Sequence, residues 1–173
     1  MSKESRQFHN ITFGVLQQYV RSGALKDMWI VSSTEVEKIL GDIPVIGYHK
    51  KIDDYIVSTM HMLNVLRHNN SEFDTFREPD PAARICTLGV VDVEKFEEKL
   101  FFPLTMPREV RYYYAVNRGR LETDGAFLKD LKKSMSEKLD GKTRISYGIY
   151  STDYQDSYGY VVQRSSLIQE PQV

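Results

Sequence analysis

The stretch Arg84-Ile-Cys-Thr-Leu-Gly-Val-Val91 constrains this chain more than any other. It is apolar almost without interruption. A strand with one wet face alternates apolar and polar side chains, so a run that does not alternate reads as a central strand covered on both faces. The remaining sequence must therefore supply cover. The clearest candidate is a helix over Asp53–Arg67, where Ile52, Tyr55, Ile56, Met60, Leu63 and Leu66 fall on one broad arc. Asp53 or Asp54 would cap its start, Arg67 and His68 suit its last turn, and Asn69 can take the left-handed stop.

The other segments sort by period and punctuation. Ile11, Phe13, Val15 and Tyr19 sit at odd positions, which predicts a strand, and Leu25–Val31 predicts a second. Ser32 and Thr34, each three residues before a glutamate, are competing capping boxes for a short helix that ends at Leu40 with Gly41 behind it. Ile43–Tyr48 contains Pro44 and reads as an edge or irregular segment. Ser71–Pro81 is an acidic loop. Asp92 would cap a short helix to Leu100, and Phe101–Pro107 is apolar and irregular. Val110–Val116 is a strand with Val110, Tyr112, Tyr114 and Val116 on one face. Thr123 or Asp124 opens a helix to Leu139, closed by Gly141. The end reads as a β-hairpin that sets Tyr147 opposite Tyr160, Gly148 opposite Gly159, and Ile145 opposite Val162.

These elements predict an α+β fold: a mixed or antiparallel sheet packed against one long and one or two shorter helices, closing with a C-terminal β-hairpin. Residues 1–10 are expected to form a flexible polar arm, 11–164 a single domain, and 165–173 a flexible tail. A chain of 173 residues is the size of one domain and can bury a core without disulfides or metal. Its one cysteine, Cys86, excludes an intrachain disulfide and fits a reducing compartment. The polar MSKESRQFHN start is no signal peptide, and no apolar run is long enough to span a bilayer, so a soluble, cytoplasmic protein is expected.

Chemistry is sparsely marked. The helix arc opposite its apolar residues carries Asp54, Ser58, His61, Asn64 and His68. The two histidines stand about 10 Å apart along the axis at 1.5 Å per residue, too far to share an ion, so the stripe reads as a solvated face. Cys86, inside the apolar run, reads as a buried small hydrophobe rather than a nucleophile. Gly-x-Ser-x-Gly, Walker A, Gly-x-Gly-x-x-Gly, His-Glu-x-x-His and Cys-x-x-Cys do not occur. Tyr158-Gly-Tyr-Val-Val resembles the middle of an RNA-recognition motif, but Asp156-Ser157 and Gln163 break the match, so the tyrosines read as hairpin packing. No catalytic residue, metal site or cofactor is assigned.

Net charge is −1, yet residues 105–150 hold ten Lys/Arg against six Asp/Glu. Within them Arg108, Arg111, Arg118, Arg120, Lys129, Lys132 and Lys133 are the candidate contacts for an anionic partner, with the three lysines opposite the apolar face of their helix.

The order of a long helix, the strand Arg84-Ile-Cys-Thr-Leu-Gly-Val-Val, tyrosine-rich strands, a late helix and the pair Ile145-Ser-Tyr-Gly-Ile-Tyr and Tyr158-Gly-Tyr-Val-Val resembles the matrix proteins of rhabdoviruses, chiefly the plant cytorhabdovirus kind, over about residues 40–165. The resemblance implies a non-enzymatic structural protein that self-associates, links a nucleocapsid to an anionic membrane surface, and resides in host cytoplasm and virion. The chain departs from that family in its arm, which holds only Lys3 and Arg6, and in lacking a Pro-Pro-x-Tyr or Pro-Thr/Ser-Ala-Pro motif. The alternatives are a small RNA-binding or regulatory module using the basic 108–144 region with Tyr112–Tyr114, and an enzyme with a dispersed site.

Overall fold

The computed structural model describes residues 3–171. Met1, Ser2, Gln172 and Val173, parts of the expected arm and tail, lie outside the described residues. The architecture is α+β with a mixed seven-stranded sheet, as expected. The helices are α1 (Lys3–Arg21), α2 (Ser33–Leu40), α3 (Tyr48–Arg67), α4 (Arg118–Thr123) and α5 (Phe127–Glu137). The strands are β1 (Met28–Trp29), β2 (Phe73–Asp74), β3 (Ile85–Val91), β4 (Glu98–Leu100), β5 (Glu109–Asn117), β6 (Arg144–Thr152) and β7 (Tyr158–Ser165). Their order is β1-β3-β7-β5-β6-β2, with β4 also beside β3; β1–β3 and β5–β6 are parallel and the other pairs antiparallel.

The apolar run of β3 is covered on both faces, as its lack of alternation demands. Leu88, Tyr113, Ala115, Tyr150, Tyr160 and Val162 point to α2 and α3, where Val36, Ile52, Leu63 and Leu66 are buried. On the other face Val110, Tyr112, Tyr114 and Val116 of β5 pack with Tyr147, Ile149 and Val161 against Phe127, Leu131 and Met135 of α5. The molecule is thus three layers, helix–sheet–helix. A smaller cluster of Val20, Ile30, Ile85, Phe102 and Leu104 fastens α1 beside the sheet.

Tyr114 is fully buried in the α5 layer, and its hydroxyl finds no hydrogen-bond partner among the described residues. An unmatched buried hydroxyl carries its desolvation cost without return. Tyr114→Phe is therefore expected to leave stability unchanged or raise it by about 1 kcal/mol; a loss of that size in a denaturant titration would mean the hydroxyl is matched.

Several expectations fail, each for a physical reason. Residues Ile11–Tyr19 are helical, not a strand. The same apolar residues fit two helix faces, Phe13 and Val20 inward and Phe8, Ile11, Val15 and Tyr19 outward, and the helix already runs through the expected polar arm from Lys3. The choice is locked by buried Gln17, whose side chain takes Gln169 O and Gln169 N at 3.0 and 2.6 Å. That contact also anchors the segment expected to be a loose tail, since Gln169 is 2% exposed.

Asp92 does accept from the N–H groups of Glu94 and Lys95, as a helix cap would. The chain then turns back through Phe96 at φ 58 and forms β4 against β3 instead of a helix to Leu100. The Phe96 ring, set among Tyr114 and Phe127, holds that turn. A Cβ on Gly89 would stand 2.3 Å from Lys99 O, so only glycine lets β4 approach so closely.

The C-terminal β-hairpin is also corrected. β6 and β7 do not pair; β5 lies between them, parallel to β6 and antiparallel to β7. Tyr147 faces Tyr112, Tyr160 faces Tyr113, and the two glycines, Gly148 and Gly159, flank Tyr113 and Tyr114 instead of each other. A strand apolar on both faces gains more from two neighbours than an edge position would give it. Asp74 and Phe73, expected in a loop, add the far edge strand on β6.

The helix expected at Asp53 starts at Tyr48, after Gly47 at φ 83. Tyr48 donates its hydroxyl proton to Glu37 at 2.6 Å and ties α3 to α2. Ser32 wins the capping competition for α2, accepting from Glu35 N, and Gly41 ends it. The late helix divides into α4, capped by Asn117, and α5, at whose start Asp124 accepts from Ala126 and Phe127 N–H.

Candidate interaction surface

The seven basic residues singled out by sequence do not form one free surface. Arg108 pairs with Asp80 at 3.0 Å. Arg111 is largely buried; its Nε donates to Glu109 at 2.6 Å, and its guanidinium lies over Phe76. Arg118 stands 3.8 Å from Asp153, both exposed. Arg120 bridges Glu94 and Asp124 and covers the Phe127 ring. Lys129, Lys132 and Lys133 are exposed on α5, with Lys132 Nζ 5.3 Å from the Phe73 ring centre. The positive excess of residues 105–150 is thus spent largely on internal acid–base pairs, and only the lysines keep the solvated face assigned to them.

Glu109 is the centre of the largest of these networks. It is 1% exposed, meets Arg111 at 2.6 Å and Arg144 at 3.2 Å, and accepts from Asp80 N at 3.2 Å. Burial alone would raise its pKa. The hydrogen bond and charge of Arg111, the Asp80 amide and the Arg144 charge outweigh that and hold the carboxyl below the usual glutamate range. A second anchor is Arg164, which donates to Ala83 O and to Asp27. Both are scaffold for the start of β5 and end of β7, not a reactive centre.

Cys86 is fully buried, and desolvation pushes its thiol up to about 12. A thiol in that state is protonated at neutral pH, which makes it a poor nucleophile. Native protein is expected to resist a thiol reagent that reacts within minutes after unfolding; fast labelling under native conditions would contradict the buried site. The α3 stripe of Asp54, Ser58, His61, Asn64 and His68 is exposed throughout, as a solvated face. Among the described residues no three His, Cys, Asp or Glu side chains gather as a metal site.

A concavity of about 860 Å³ opens where the ends of β3, β5 and β7 meet α3, between Tyr55, Ser58, Met62, Asp92, Asn117, Arg120 and Tyr158. Its polar groups are engaged locally: Asp92 and Asn117 cap turns, and Arg120 is paired. They do not converge on a reacting atom.

Exposed apolar side chains are the feature that sequence reading missed. Val45 and Ile46, between α2 and α3, are 91% and 95% exposed. Their signal was Pro44-Val45-Ile46-Gly47, an apolar pair bracketed by two helix breakers. Phe8, Ile11, Val15 and Tyr19 form an exposed line on α1. Around the β2 edge strand Phe73, Leu121, Phe127, Leu128 and Ile149 line a second cavity of about 470 Å³, with Glu72, Arg118, Glu122 and Asp124 also in its lining. Exposed apolar groups at projections and in rimmed cavities mark interaction surfaces more often than isolated exposures do.

This mixed sheet enclosed by helices aligns with solved structures of low sequence identity. A filament structure of TubZ-Bt with four strands aligns at TM-score 0.66 with 13% identity, covering 98% of this chain and 51% of that one. An FtsZ dimer from M. jannaschii aligns at 0.61 with 10% identity over 87% of this chain and 47% of that one. A GTPγS-form protofilament of TubZ from Bacillus thuringiensis serovar israelensis aligns at 0.56 with 15% identity over 81% of this chain and 41% of that one. This chain spans about half the length of these neighbours. No family model matches the chain. No curated protein matches it at the sequence level.

These neighbours correct the functional expectation. The fold aligns with about half of each FtsZ and TubZ chain, so the viral matrix reading, with its virion and nucleocapsid, and the assignment as a non-enzyme give way. RNA and membrane partners find no support in these neighbours, and of the basic stretch Arg111 and Arg120 turn inward onto carboxylates while Arg108 and Arg118 stay largely exposed. No helix among the described residues is long and apolar enough to cross a membrane.

Proposed function

We propose that this chain self-associates, as the assembly-bearing part of a filament-forming protein with the FtsZ/TubZ fold. The reading is supported chiefly by the alignment of nearly the whole chain, 98%, with TubZ-Bt in a filament. Exposed apolar side chains, Val45 and Ile46 between α2 and α3 and Phe73 on β2, add surface that a monomer leaves in water. Association that buries such groups is driven by the apolar area removed from solvent.

The test is sedimentation velocity of the purified chain over a hundredfold range of concentration, with electron microscopy of the heaviest fractions. Species that grow with concentration and appear as linear arrays are expected. A single monomer boundary at every concentration overturns the reading.

A further inference from the structure

We propose that the cavity between α3 and the end of the sheet binds a linear alkyl diamine or polyamine, with one ammonium held among tyrosine hydroxyls and carboxylates. Binding there does not depend on self-association.

Strand alternation builds the site. Leu88, Ala115 and Tyr160 belong to the layer under α3. Val90 and Asp92, Asn117, and Tyr158 lie at two-residue steps from them along the same strands, so they take the same face. β7 runs antiparallel to β3 and β5, which brings Asp92, Asn117 and Tyr158 to one end of the sheet. α3 lays Tyr55, Ser58 and Met62 across that end. The volume of about 860 Å³ is within the range of small-molecule sites.

Three phenols meet in this cavity, those of Tyr55, Tyr158 and Tyr160. Among the described residues none of their hydroxyls makes a hydrogen bond. Tyr160 is 8% exposed. Its ring lies in the core and its hydroxyl stays accessible at the cavity, unlike the sealed hydroxyl of Tyr114. Burial, and then the neighbouring Tyr158 and Tyr55, push the Tyr160 phenol up to about 12, so it is uncharged at neutral pH.

The charge of the lining selects a cation. Asp92, Glu94 and Asp156 stand against Arg120 alone, and Arg120 is already tied to Glu94 and Asp124. Asp156 is exposed and has no ion pair among the described residues. Asp92 uses only Oδ1 to accept from the Lys95 and Glu94 N–H groups. Those bonds, and more weakly the charges of Lys95 and Lys99, hold its carboxyl below the usual aspartate range, and neither lysine lines the cavity. An ammonium brings three donors and no acceptor, the complement of phenol and carboxylate oxygens, and is drawn to tyrosine ring faces. Met62 and Val90 give a methylene chain an apolar wall. Two carboxylates not committed to Arg120, Asp92 and Asp156, favour a molecule with more than one ammonium.

The test is calorimetric titration of the full chain with cadaverine, and with pentanediol as its neutral counterpart, at low and physiological salt. Saturable one-to-one binding of the diamine, and none of the diol, is expected. Tyr160→Phe keeps the ring and removes the hydroxyl, and Asp156→Asn removes a charge that no described residue pairs. Each is expected to weaken the diamine by ~10-fold or more with the melting temperature unchanged. Asp130→Asn, exposed on α5 across the sheet, should leave binding as it is. Should Tyr160→Phe lower the melting temperature, Asp156→Asn carries the test. A wild type that binds no diamine overturns the site. Equal binding of the diol overturns the assignment to a cation. Variants that bind like wild type, or an Asp130→Asn variant weakened as much as Asp156→Asn, place the amine on the surface at large and overturn the cavity.

Discussion

Replacing Glu109 by alanine is expected to lower stability by about 3 kcal/mol or more, in the range for breaking a buried ion pair from one side. The carboxylate is the shared acceptor for Arg111, for Arg144 and for the Asp80 amide. Arg144 is partly exposed and can return to water, but Arg111 sits between strand and Phe76 and would keep an unmatched charge. Loss of the pair itself is a smaller effect, so Glu109→Leu with Arg111→Met should recover much of the deficit. The pH dependence follows from the depressed carboxyl. Its contribution is fully present above the unfolded-state value of about 4.3, and is lost as pH falls through the lower folded-state value. Wild type and Glu109→Gln should therefore differ most at neutral pH and converge in acid. Denaturant titrations at neutral and acid pH read both effects; an alanine variant within about half a kcal/mol of wild type would show the network to be dispensable.

Leu63→Ala is expected to cost about 2–5 kcal/mol, because Leu63 is 3% exposed in the layer between α3 and the sheet. The cavity would open among side chains fixed by strand pairing on one side and helix packing on the other, which limits collapse. Its neighbour Asn64, on the solvated arc of the same helix, should tolerate alanine with a change of about half a kcal/mol or less. If both substitutions cost the same, α3 does not cover the sheet as described.

The apolar face of α3, the doubly buried β3, the alternation of Val110, Tyr112, Tyr114 and Val116, and the burial of Cys86 were legible because each depends on a local period or an uninterrupted apolar run. A sustained repeat of two, or of three to four, residues places one set of side chains on one face of a strand or helix. The α+β class followed from those elements. The candidate surface was not legible in the same way. The arginines of residues 108–120 could be counted, but whether each meets water or a carboxylate depends on residues far away in sequence, such as Glu94 for Arg120.

Sequence by itself determined which residues must leave water and, for the long regular segments, which face they share. Tertiary structure decided the partners. The pairs proposed between β6 and β7 were made of suitable residues, yet β5 took the place of each partner because a strand apolar on both faces buries more from the middle of a sheet. It decided that Ile11–Tyr19 would be helical, through the Gln17–Gln169 bonds across 152 residues. It also left Val45 and Ile46 in water, an exposure that the bracketing Pro44 and Gly47 do not by themselves decide, because burial is a property of the whole chain's packing and not of the residue's own neighbours.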